Sequence, residues 1–290
     1  MVDFSFIIVT YNSNDLIDAC ISSIFNFADI GEERFEVIIV DNSNADNHQR
    51  LTDLLAEKKF KDKISIIHNP MNGGYGHGNN IGIRAAIGEY ICIMNPDVRL
   101  AEPLLVHTKG HFEINPELAV LGYKQTGGAN LSYFIKPEYK PAIGVSILTK
   151  ISNSLNLFSE HKFYLSGAFF FARKADMESV GLFDERIFLY FEEADISNRL
   201  LMLNKRIQFD TSKKYVHLNG GRDFSRSSFE NEMKSLKYYI EKFHLDRKKI
   251  AARYLSEYQF NLLLFNFTGK KDRADKTRKE IEVIKEYFFQ

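Results

Sequence analysis

Polar side chains that bind ligands well recur in this sequence directly after short apolar runs. The four groups are Thr10-Tyr11-Asn12, Asp41-Asn42-Ser43, the glycine-rich segment 69–80 and Asn95-Pro96-Asp97. Carboxylate oxygens bind hard divalent cations and accept hydrogen bonds, and glycines let a ligand approach the backbone closely. Because four such groups follow four successive apolar runs, they predict one ligand-binding surface rather than four unrelated turns.

Three carboxylates also stand within a run of four residues, Glu192-Glu193-Ala194-Asp195. A carboxylate placed against a hydroxyl can remove its proton as the oxygen attacks another centre. Glu193 is the first choice for this general base, and Glu192 and Asp195 are open alternatives. The run also suits a helix start, where the helix dipole stabilises acids, and the spacing of Asp195 and Arg199 predicts an ion pair.

The elements that position these groups alternate between strand and helix. Apolar runs at residues 4–10, 35–40, 64–67 and 90–94 predict four strands, and helical spacing, including residues 79–87, follows the first three. Strands that are apolar throughout are typical of a parallel sheet covered on both faces. Ligands of such sheets bind at the C-terminal ends of the strands, which is where the polar groups stand.

The second half of the chain is less regular. Strands are predicted at residues 119–123, 131–135, 163–172 and 214–218. Residues 137–160 lack a clear period, and we expect them to form a mobile loop. From residue 228 the spacing becomes helical and basic, so we expect one domain at residues 1–227 and a helical, basic extension at residues 228–290.

Composition and charge exclude several classes of protein. The 290 residues are 44% apolar, and no apolar run approaches the roughly 18–20 residues of a membrane span. The two cysteines, Cys20 and Cys92, are too few for a disulfide scaffold and fit a reducing cytosol. The net charge of zero disfavours nucleic-acid binding. Residues 199–290 carry 21 basic and 12 acidic side chains, which predicts either contact with an anionic surface or a face of solvated lysines.

The ordered set of motifs resembles the family-2 glycosyltransferases, which are inverting nucleotide-sugar enzymes with a GT-A fold. The matching pieces are Val9-Thr10-Tyr11-Asn12, Val40-Asp41-Asn42-Ser43, segment 72–80, Asn95-Pro96-Asp97-Val98, Ser166-Gly167-Ala168, Phe183-Asp184-Glu185, Glu192-Glu193-Ala194-Asp195 and His217. The resemblance implies an α/β protein of GT-A type, with a mostly parallel nucleotide-binding sheet flanked by helices. Its catalytic domain would be residues 1–227, followed by the helical C-terminal extension.

The resemblance also implies a role for each motif. The residues that would bind the nucleotide sugar are Thr10, Tyr11, Asn12, Asp41, Asn42, Gly73, Gly74, Asn79, Asn80 and Asn95. Asp41 would accept the imide N–H of uracil or thymine, and Ser166 and Gly167 would form the acceptor side. Asp97 and His217 would hold a divalent metal, Mn²⁺ or Mg²⁺, on the donor diphosphate.

Two residues depart from the usual family pattern. Asn95 stands where many relatives have a second Asp, and Glu193 stands where the base is usually Asp. The first change lowers the charge of any metal site, and the second moves the carboxylate by about one C–C bond, a displacement of the size that matters in catalysis. These departures leave open a non-catalytic subunit that binds sugar nucleotides.

The closest subgroup resembles bacterial rhamnosyltransferases of surface polysaccharide and O-antigen synthesis. This implies transfer of rhamnose from dTDP-rhamnose, with inversion, to a glycan carried on a membrane lipid. A UDP-hexose donor is the alternative. The sequence lacks tryptophan, and with it the Gln-x-x-Arg-Trp motif of processive synthases, so one sugar is expected per encounter. The expected location is the cytoplasm, with peripheral attachment to the inner face of the cytoplasmic membrane.

Overall fold

The structure is a computed structural model that describes residues 2–129, 131–218 and 225–289. The strands are β1 (Phe4–Thr10), β2 (Phe35–Asp41), β3 (Ile64–His68), β4 (Tyr90–Met94), β5 (Val98–Leu100), β6 (Leu118–Thr126), β7 (Tyr133–Ile135), β8 (Phe163–Leu165), β9 (Phe169–Arg173) and β10 (Arg206–His217). The helices are α1 (Asn14–Phe27), α2 (Ala45–Ala56), α3 (Tyr75–Ala85), α4 (Leu105–Ile114), α5 (Val145–Ser154), α6 (Lys174–Ser179), α7 (Glu192–Met202), α8 (Arg226–Lys242), α9 (Arg247–Phe267) and α10 (Lys271–Phe288).

The main sheet has the strand order β3-β2-β1-β4-β9-β6-β10-β5. The first four strands are parallel to one another, and β6 is parallel to β10. Strand β9 runs antiparallel to β4 and β6, and β5 runs antiparallel to β10. The prediction of a mostly parallel sheet flanked by helices is therefore confirmed.

The sheet is buried on both faces, which explains why its central strands are apolar throughout. Phe6 and Ile8 of β1 share one core cluster with Ile17 and Ile21 of α1, on one face. On the other face, Ile7 belongs to a cluster that includes Ile83 of α3. Successive side chains of a strand point to opposite faces, so both sets of positions must be apolar. Because β1, β2, β3 and β4 are parallel neighbours, their C-terminal ends lie at the same edge of the sheet.

Three predicted elements are wrong in detail. The apolar run 163–172 is two strands, because β8 pairs with β7 in a separate two-stranded sheet and β9 joins the main sheet. Residues 137–160 are not one loop, because they contain α5, which buries polar side chains that no apolar period reveals. Helix α3 begins at Tyr75 rather than Asn79, with glycines in its first turn.

The C-terminal helices pack onto the start of α7. Phe191 and Ala194 share a buried cluster with Met233 and Leu236 of α8. The Ser235 hydroxyl also donates a hydrogen bond to the carbonyl oxygen of Leu189, at 2.8 Å. The helical pattern predicted for the end of the chain is present, whereas the division at residues 227 and 228 stays a prediction.

Candidate functional site

Asp97 and His217 meet where strand β4 ends. Asn95 follows β4 directly, and three residues later Val98 opens β5, where it pairs with His217 of β10. The Asp97 carboxylate Oδ2 lies 3.2 Å from His217 Nε2. The Leu218 N–H also donates to the Asp97 carbonyl oxygen, at 2.9 Å. The sheet therefore brings together two residues that are 120 positions apart and that the sequence predicted as metal ligands.

The second ring nitrogen of His217 is held by Gln125, which sequence reasoning missed. His217 Nδ1 lies 3.2 Å from the buried Gln125 Oε1, and the Tyr215 hydroxyl donates to the same oxygen at 3.1 Å. An oxygen acceptor at Nδ1 favours a ring proton there, which leaves Nε2 as the atom that would face a cation between His217 and Asp97. Metal-binding histidines are oriented in this way by a second acceptor. The pair thus fits a divalent cation.

The exits of β1 and β2 form a second polar corner. Thr10 and Asp41 are register partners, and Asp41 is fully buried. Its carboxylate accepts the Ser43 N–H at 3.0 Å and lies 3.0 Å from His48 Nδ1. The ring of His48 stacks on that of His68, with centroids 4.0 Å apart. Thr10 Oγ1 is buried and has no hydrogen-bond partner among the described residues, so this corner holds one unsatisfied polar atom.

Tyr11 and Asn12 lie above this corner. Tyr11 is 56% exposed, which leaves a flat ring face open to solvent. Asn12 has a positive φ of 53°, a conformation that Asn adopts more readily than most residues. Its N–H donates to Ser43 Oγ at 2.8 Å, and its side-chain oxygen accepts from Asn47 at 2.6 Å. These contacts fix the turn after β1 against the turn after β2.

The asparagines after β2 and β3 serve different purposes. The Asn42 side chain accepts from Asn69 Nδ2 at 2.7 Å and donates to Asn72 Oδ1 at 3.3 Å. Asn79 keeps a buried Oδ1 with no hydrogen-bond partner in the described part of the chain. Asn80 is engaged at both ends, because it donates to the Phe183 carbonyl and accepts the Phe183 N–H. Asn79 therefore has capacity for a ligand, whereas Asn80 anchors the loop at residue 183.

The glycines of the predicted donor segment permit close packing. Gly74 has a φ of +97°, and a β-carbon there would overlap the Phe188 carbonyl oxygen. That oxygen accepts the Tyr75 N–H at 3.1 Å. A β-carbon on Gly73 would lie 2.7 Å from the His77 ring. Glycine is required at position 74 by both its conformation and its neighbour, so the start of α3 can approach residue 188.

The acidic run begins helix α7, as one of its interpretations predicted. Two residues with positive φ, Tyr190 and Phe191, precede it and set its direction. Asp195 is fully buried and forms ion pairs with Arg199, at 2.6 Å, and with Lys242. The pairing with Arg199 was expected from the spacing, and Lys242 comes from α8. Two cations thus hold Asp195 in place.

The other two carboxylates of the run are not paired with cations in the described contacts. Burial is the main cause that raises the pKa of Glu192 well above its usual range, and the charge of the neighbouring Glu193 is the second cause. The Oε1 atom of Glu192 has no hydrogen-bond partner among the described residues. Burial also raises the pKa of Glu193 to about 7. A carboxylate that titrates near neutral pH is well matched to proton abstraction.

The segment 166–168 joins the acidic helix to the metal-ligand corner. Glu193 Oε1 packs against the α-carbon of Gly167, where a β-carbon would overlap it. The Gly167 carbonyl accepts the Tyr75 hydroxyl at 2.5 Å, and the Ala168 carbonyl accepts the Asn95 N–H at 2.8 Å. The segment therefore touches Glu193 through Gly167 and the Asn95 turn through Ala168. No sequence pattern pointed to Tyr75, whose signal was only its place among glycines.

The fold and these strand exits define an α/β protein of the GT-A class. A polar corner with unpartnered buried oxygens stands beside a carboxylate–imidazole pair and an acidic helix start. Residues 5–180 match the family model of glycosyl transferase family 2. The chain belongs to that family.

Individual relatives agree with this assignment. Over 218 residues the chain is 25% identical to the minor teichoic acid biosynthesis protein GgaA of Bacillus subtilis, which covers 74% of this chain. The match spans 46% of GgaA, so this chain corresponds to under half of that relative.

Solved structures share the fold. The mannosyltransferase PcManGT from Pyrobaculum calidifontis, in complex with GDP-Man and Mn²⁺, superposes with a TM-score of 0.63 over 97% of this chain and 85% of its own, at 13% identity. TarS of S. aureus in complex with UDP-GlcNAc gives a TM-score of 0.56 over 98% of this chain and 92% of its own, at 16% identity. At such identities the likeness concerns the fold.

Proposed function

We propose that this chain transfers one sugar from a nucleotide-sugar donor to a glycan acceptor with inversion of the anomeric centre. The observation that carries the proposal is the arrangement around residues 166–168. Glu193 contacts Gly167 on one side, and the turn that leads to Asp97 is bonded to Ala168 on the other. A base and a leaving-group site that are both held by one short segment suit a single displacement.

In this proposal Glu193 is the general base. Its raised pKa lets the carboxylate accept a proton from the acceptor hydroxyl near neutral pH. Glu192 is less suited, because burial and the neighbouring Glu193 raise its pKa well above the usual range. Asp195 is less suited because its oxygens are engaged by Arg199 and Lys242. Since one carboxylate activates the acceptor directly, the configuration at the anomeric carbon inverts.

Asp97 and His217 would hold a divalent cation. When bound, such an ion neutralises the negative charge that develops on the departing diphosphate. One carboxylate oxygen with one imidazole nitrogen suits Mn²⁺ better than Mg²⁺, because Mg²⁺ strongly prefers oxygen. Gln125 would keep the His217 ring in the orientation that faces Asp97. Asn95 would leave the site with a single carboxylate.

The corner formed by Thr10 and Asp41 would bind the base of the donor. The unpartnered Thr10 hydroxyl can bond to a pyrimidine ring, and the exposed Tyr11 ring offers a face for stacking. We propose dTDP-rhamnose as the donor, because the Asn95-Pro96-Asp97-Val98 motif resembles that of rhamnosyltransferases. A UDP-hexose is the alternative donor. The two solved structures are complexes with GDP-Man and UDP-GlcNAc, so these two nucleotide sugars are further donors to compare with dTDP-rhamnose.

A donor panel tests the proposal. The full chain is incubated with Mn²⁺ and, separately, with dTDP-rhamnose, UDP-glucose, UDP-GlcNAc and GDP-mannose. The proposal predicts release of nucleoside diphosphate from one pyrimidine donor. A donor that raises the melting temperature but is never cleaved, with or without glycan acceptors, would favour the non-catalytic sugar-nucleotide-binding subunit.

We further propose that the acceptor is lipid-linked and that the chain attaches to an anionic membrane surface. In the described ranges, no helix has the length and apolar character needed to cross a bilayer. Two groups of apolar side chains are nevertheless exposed. They are Ile147, Leu148, Ile151 and Leu155 along and just after α5, and Leu263, Leu264 and Phe267 at the end of α9. The Val145 N–H donates to Glu257 at 3.1 Å, so these two helices adjoin.

Basic residues next to these groups favour an anionic surface. Lys150 lies exposed on α5, and Lys270, Lys271 and Arg273 follow α9. Cations near an anionic bilayer each contribute about 1 kcal/mol. Co-sedimentation with vesicles, anionic or neutral, at low and high salt tests attachment. Binding that is confined to anionic vesicles and lost in a double Ile151→Ser, Phe267→Ser variant is expected, and a lack of binding in every condition would contradict attachment.

A further inference from the structure

Two histidines and an aspartate converge on the face of the protein that carries α4. His107 and His111 are one turn apart on α4, and Asp210 belongs to β10. The Asp210 Oδ2 lies 2.6 Å from His107 Nε2 and 3.1 Å from His111 Nε2. The two Nε2 atoms are themselves 3.1 Å apart. Three potential ligand atoms thus point at one another from two elements.

Helix packing and a register shift in β10 position the side chains of this cluster. Leu105 and Phe112 fix α4 in the core, which turns the His107–His111 side of the helix towards β10. The register between β10 and β6 shifts after Asp210, and such a bulge re-aims the side chains beside it. The Ser212 N–H donates to Asp210 Oδ1 at 2.8 Å, which leaves Oδ2 for the histidines.

The cluster is separate from the donor site. Asp210 and His217 are both on β10, and seven residues of strand span roughly 20 Å. The side chains of His107 and His111 are 34% and 27% exposed, so ions in solution can reach them. Sequence analysis did not find this site, because Asp210 is about 100 residues away from the two histidines.

The distances suit a transition metal ion with small adjustment. Zn²⁺ bonds of about 2.0–2.1 Å in tetrahedral geometry separate neighbouring ligand atoms by about 3.3 Å. The three separations here are 2.6, 3.1 and 3.1 Å, so the closest pair would open by well under 1 Å. The Gln208 side-chain nitrogen lies 3.4 Å from His111 Nδ1.

We propose that His107, His111 and Asp210 form a binding site for one Zn²⁺ ion, which clamps α4 to β10. Two imidazoles and one carboxylate favour Zn²⁺ over Mg²⁺, because Mg²⁺ is bound mainly by oxygen. Three protein ligands leave the fourth position to water. The ion is structural in this assignment, since it ties a surface helix to the strand that carries His217.

Zinc uptake by the full chain tests the site. The chelator-treated protein is dialysed against Zn²⁺ alone, and bound metal is measured in Asp97→Ala so that the donor site does not contribute. One Zn²⁺ per chain is expected, with a rise in melting temperature. His107→Ala and His111→Ala should each lower the affinity by at least the roughly 10–100-fold that loss of even a supporting residue costs. His161→Ala, which removes an exposed histidine elsewhere, is the matched control.

A second readout keeps the test decisive if a variant is poorly folded. Co²⁺ in a tetrahedral site with nitrogen ligands gives visible absorption, which is followed in Asp97→Ala with His111 intact or replaced, after circular dichroism has verified the helix content. Visible bands that disappear with His111→Ala support the site. Zinc affinity unchanged in His107→Ala and His111→Ala, or no uptake by Asp97→Ala, would overturn it.

Discussion

Glu193 Oε1 packs so closely against the α-carbon of Gly167 that a β-carbon at this position would overlap it. The Tyr75 hydroxyl, bonded to the Gly167 carbonyl, lies 3.0 Å from the same hypothetical β-carbon. The glycine therefore sets where the proposed base sits. It does so without a charge or a hydrogen bond of its own to Glu193.

Gly167→Ala is expected to displace the Glu193 carboxylate and to lower turnover by about 100-fold, the cost of a misplacement near 1 Å. Donor binding should change little, because the donor corner lies at the ends of β1 and β2. Steady-state kinetics separates the two effects. Gly110→Ala is the control, since a β-carbon there meets nothing within 4 Å. Wild-type turnover in Gly167→Ala would show that this contact does not position the base.

Asp97→Asn should remove metal-dependent turnover, because the amide keeps the shape of the side chain but loses the charge that attracts the cation. Wild-type activity should require Mn²⁺ or Mg²⁺ and vanish with excess chelator. Release of nucleoside diphosphate is the measurement, and Asp62→Asn, an exposed carboxylate elsewhere, is the control. Full turnover in excess chelator would contradict a role for the metal in the reaction.

The pKa of Glu193 also predicts how stability depends on pH. Burial raises this pKa from 4.5 to about 7, so the folded protein holds a proton that the unfolded chain releases. The contribution of Glu193 to the free energy of unfolding is fully present below pH 4.5, and it is lost as the pH rises through 7. Glu193→Gln should therefore match wild type near pH 4 and exceed it at pH 8 in denaturant unfolding. Glu282→Gln, at an exposed position, should show no such divergence from wild type. If the free energy of unfolding of Glu193→Gln followed that of wild type in parallel across this pH range, the raised pKa of Glu193 would be contradicted.

Asp195 is expected to stabilise the fold rather than to react. It lies fully buried between Arg199 of α7 and Lys242 of α8, so removing it leaves Arg199 without its carboxylate partner, whereas Lys242 keeps its ion pair with Asp184. Breaking a buried pair costs about 3–5 kcal/mol in the free energy of unfolding, whereas exposed pairs contribute about 1 kcal/mol or less. Denaturant unfolding of Asp195→Ala and of Asp275→Ala, from the exposed pair with Arg278, should show this difference. Equal losses would argue against the buried pair.

Local patterns predicted much of the fold. Continuous apolar runs marked β1, β2, β3 and β4 because a sheet covered on both faces needs apolar residues at every position. The same patterns predicted the polar exits, since a parallel sheet collects its strand ends at one edge. The spacing of Asp195 and Arg199 likewise predicted an ion pair that depends only on helical geometry.

Features that depend on distant parts of the chain were missed. The apolar run 163–172 carries no sign that β8 and β9 belong to different sheets, because their pairing partners, β7 for β8 and β4 and β6 for β9, lie elsewhere in the chain. Gln125 and Tyr75 act through partners 92 residues away, and single-sequence patterns do not reveal such contacts. Helix α5 was missed although Ile147, Leu148 and Ile151 have helical spacing, because these apolar residues are exposed and the buried face of the helix is polar.

The most direct test compares Glu193→Gln with wild type in transfer of sugar from the active donor of the panel, with Mn²⁺ and saturating acceptor. The account predicts that turnover falls by roughly 10²–10⁴-fold, the contribution of a general base, while donor affinity is unchanged. Glu192→Gln, which replaces a carboxyl whose pKa burial raises well above its usual range, should retain far more activity. A Glu193→Gln enzyme that works at the wild-type rate, with Glu192→Gln inactive, would contradict the assignment of the base and with it the arrangement around Gly167.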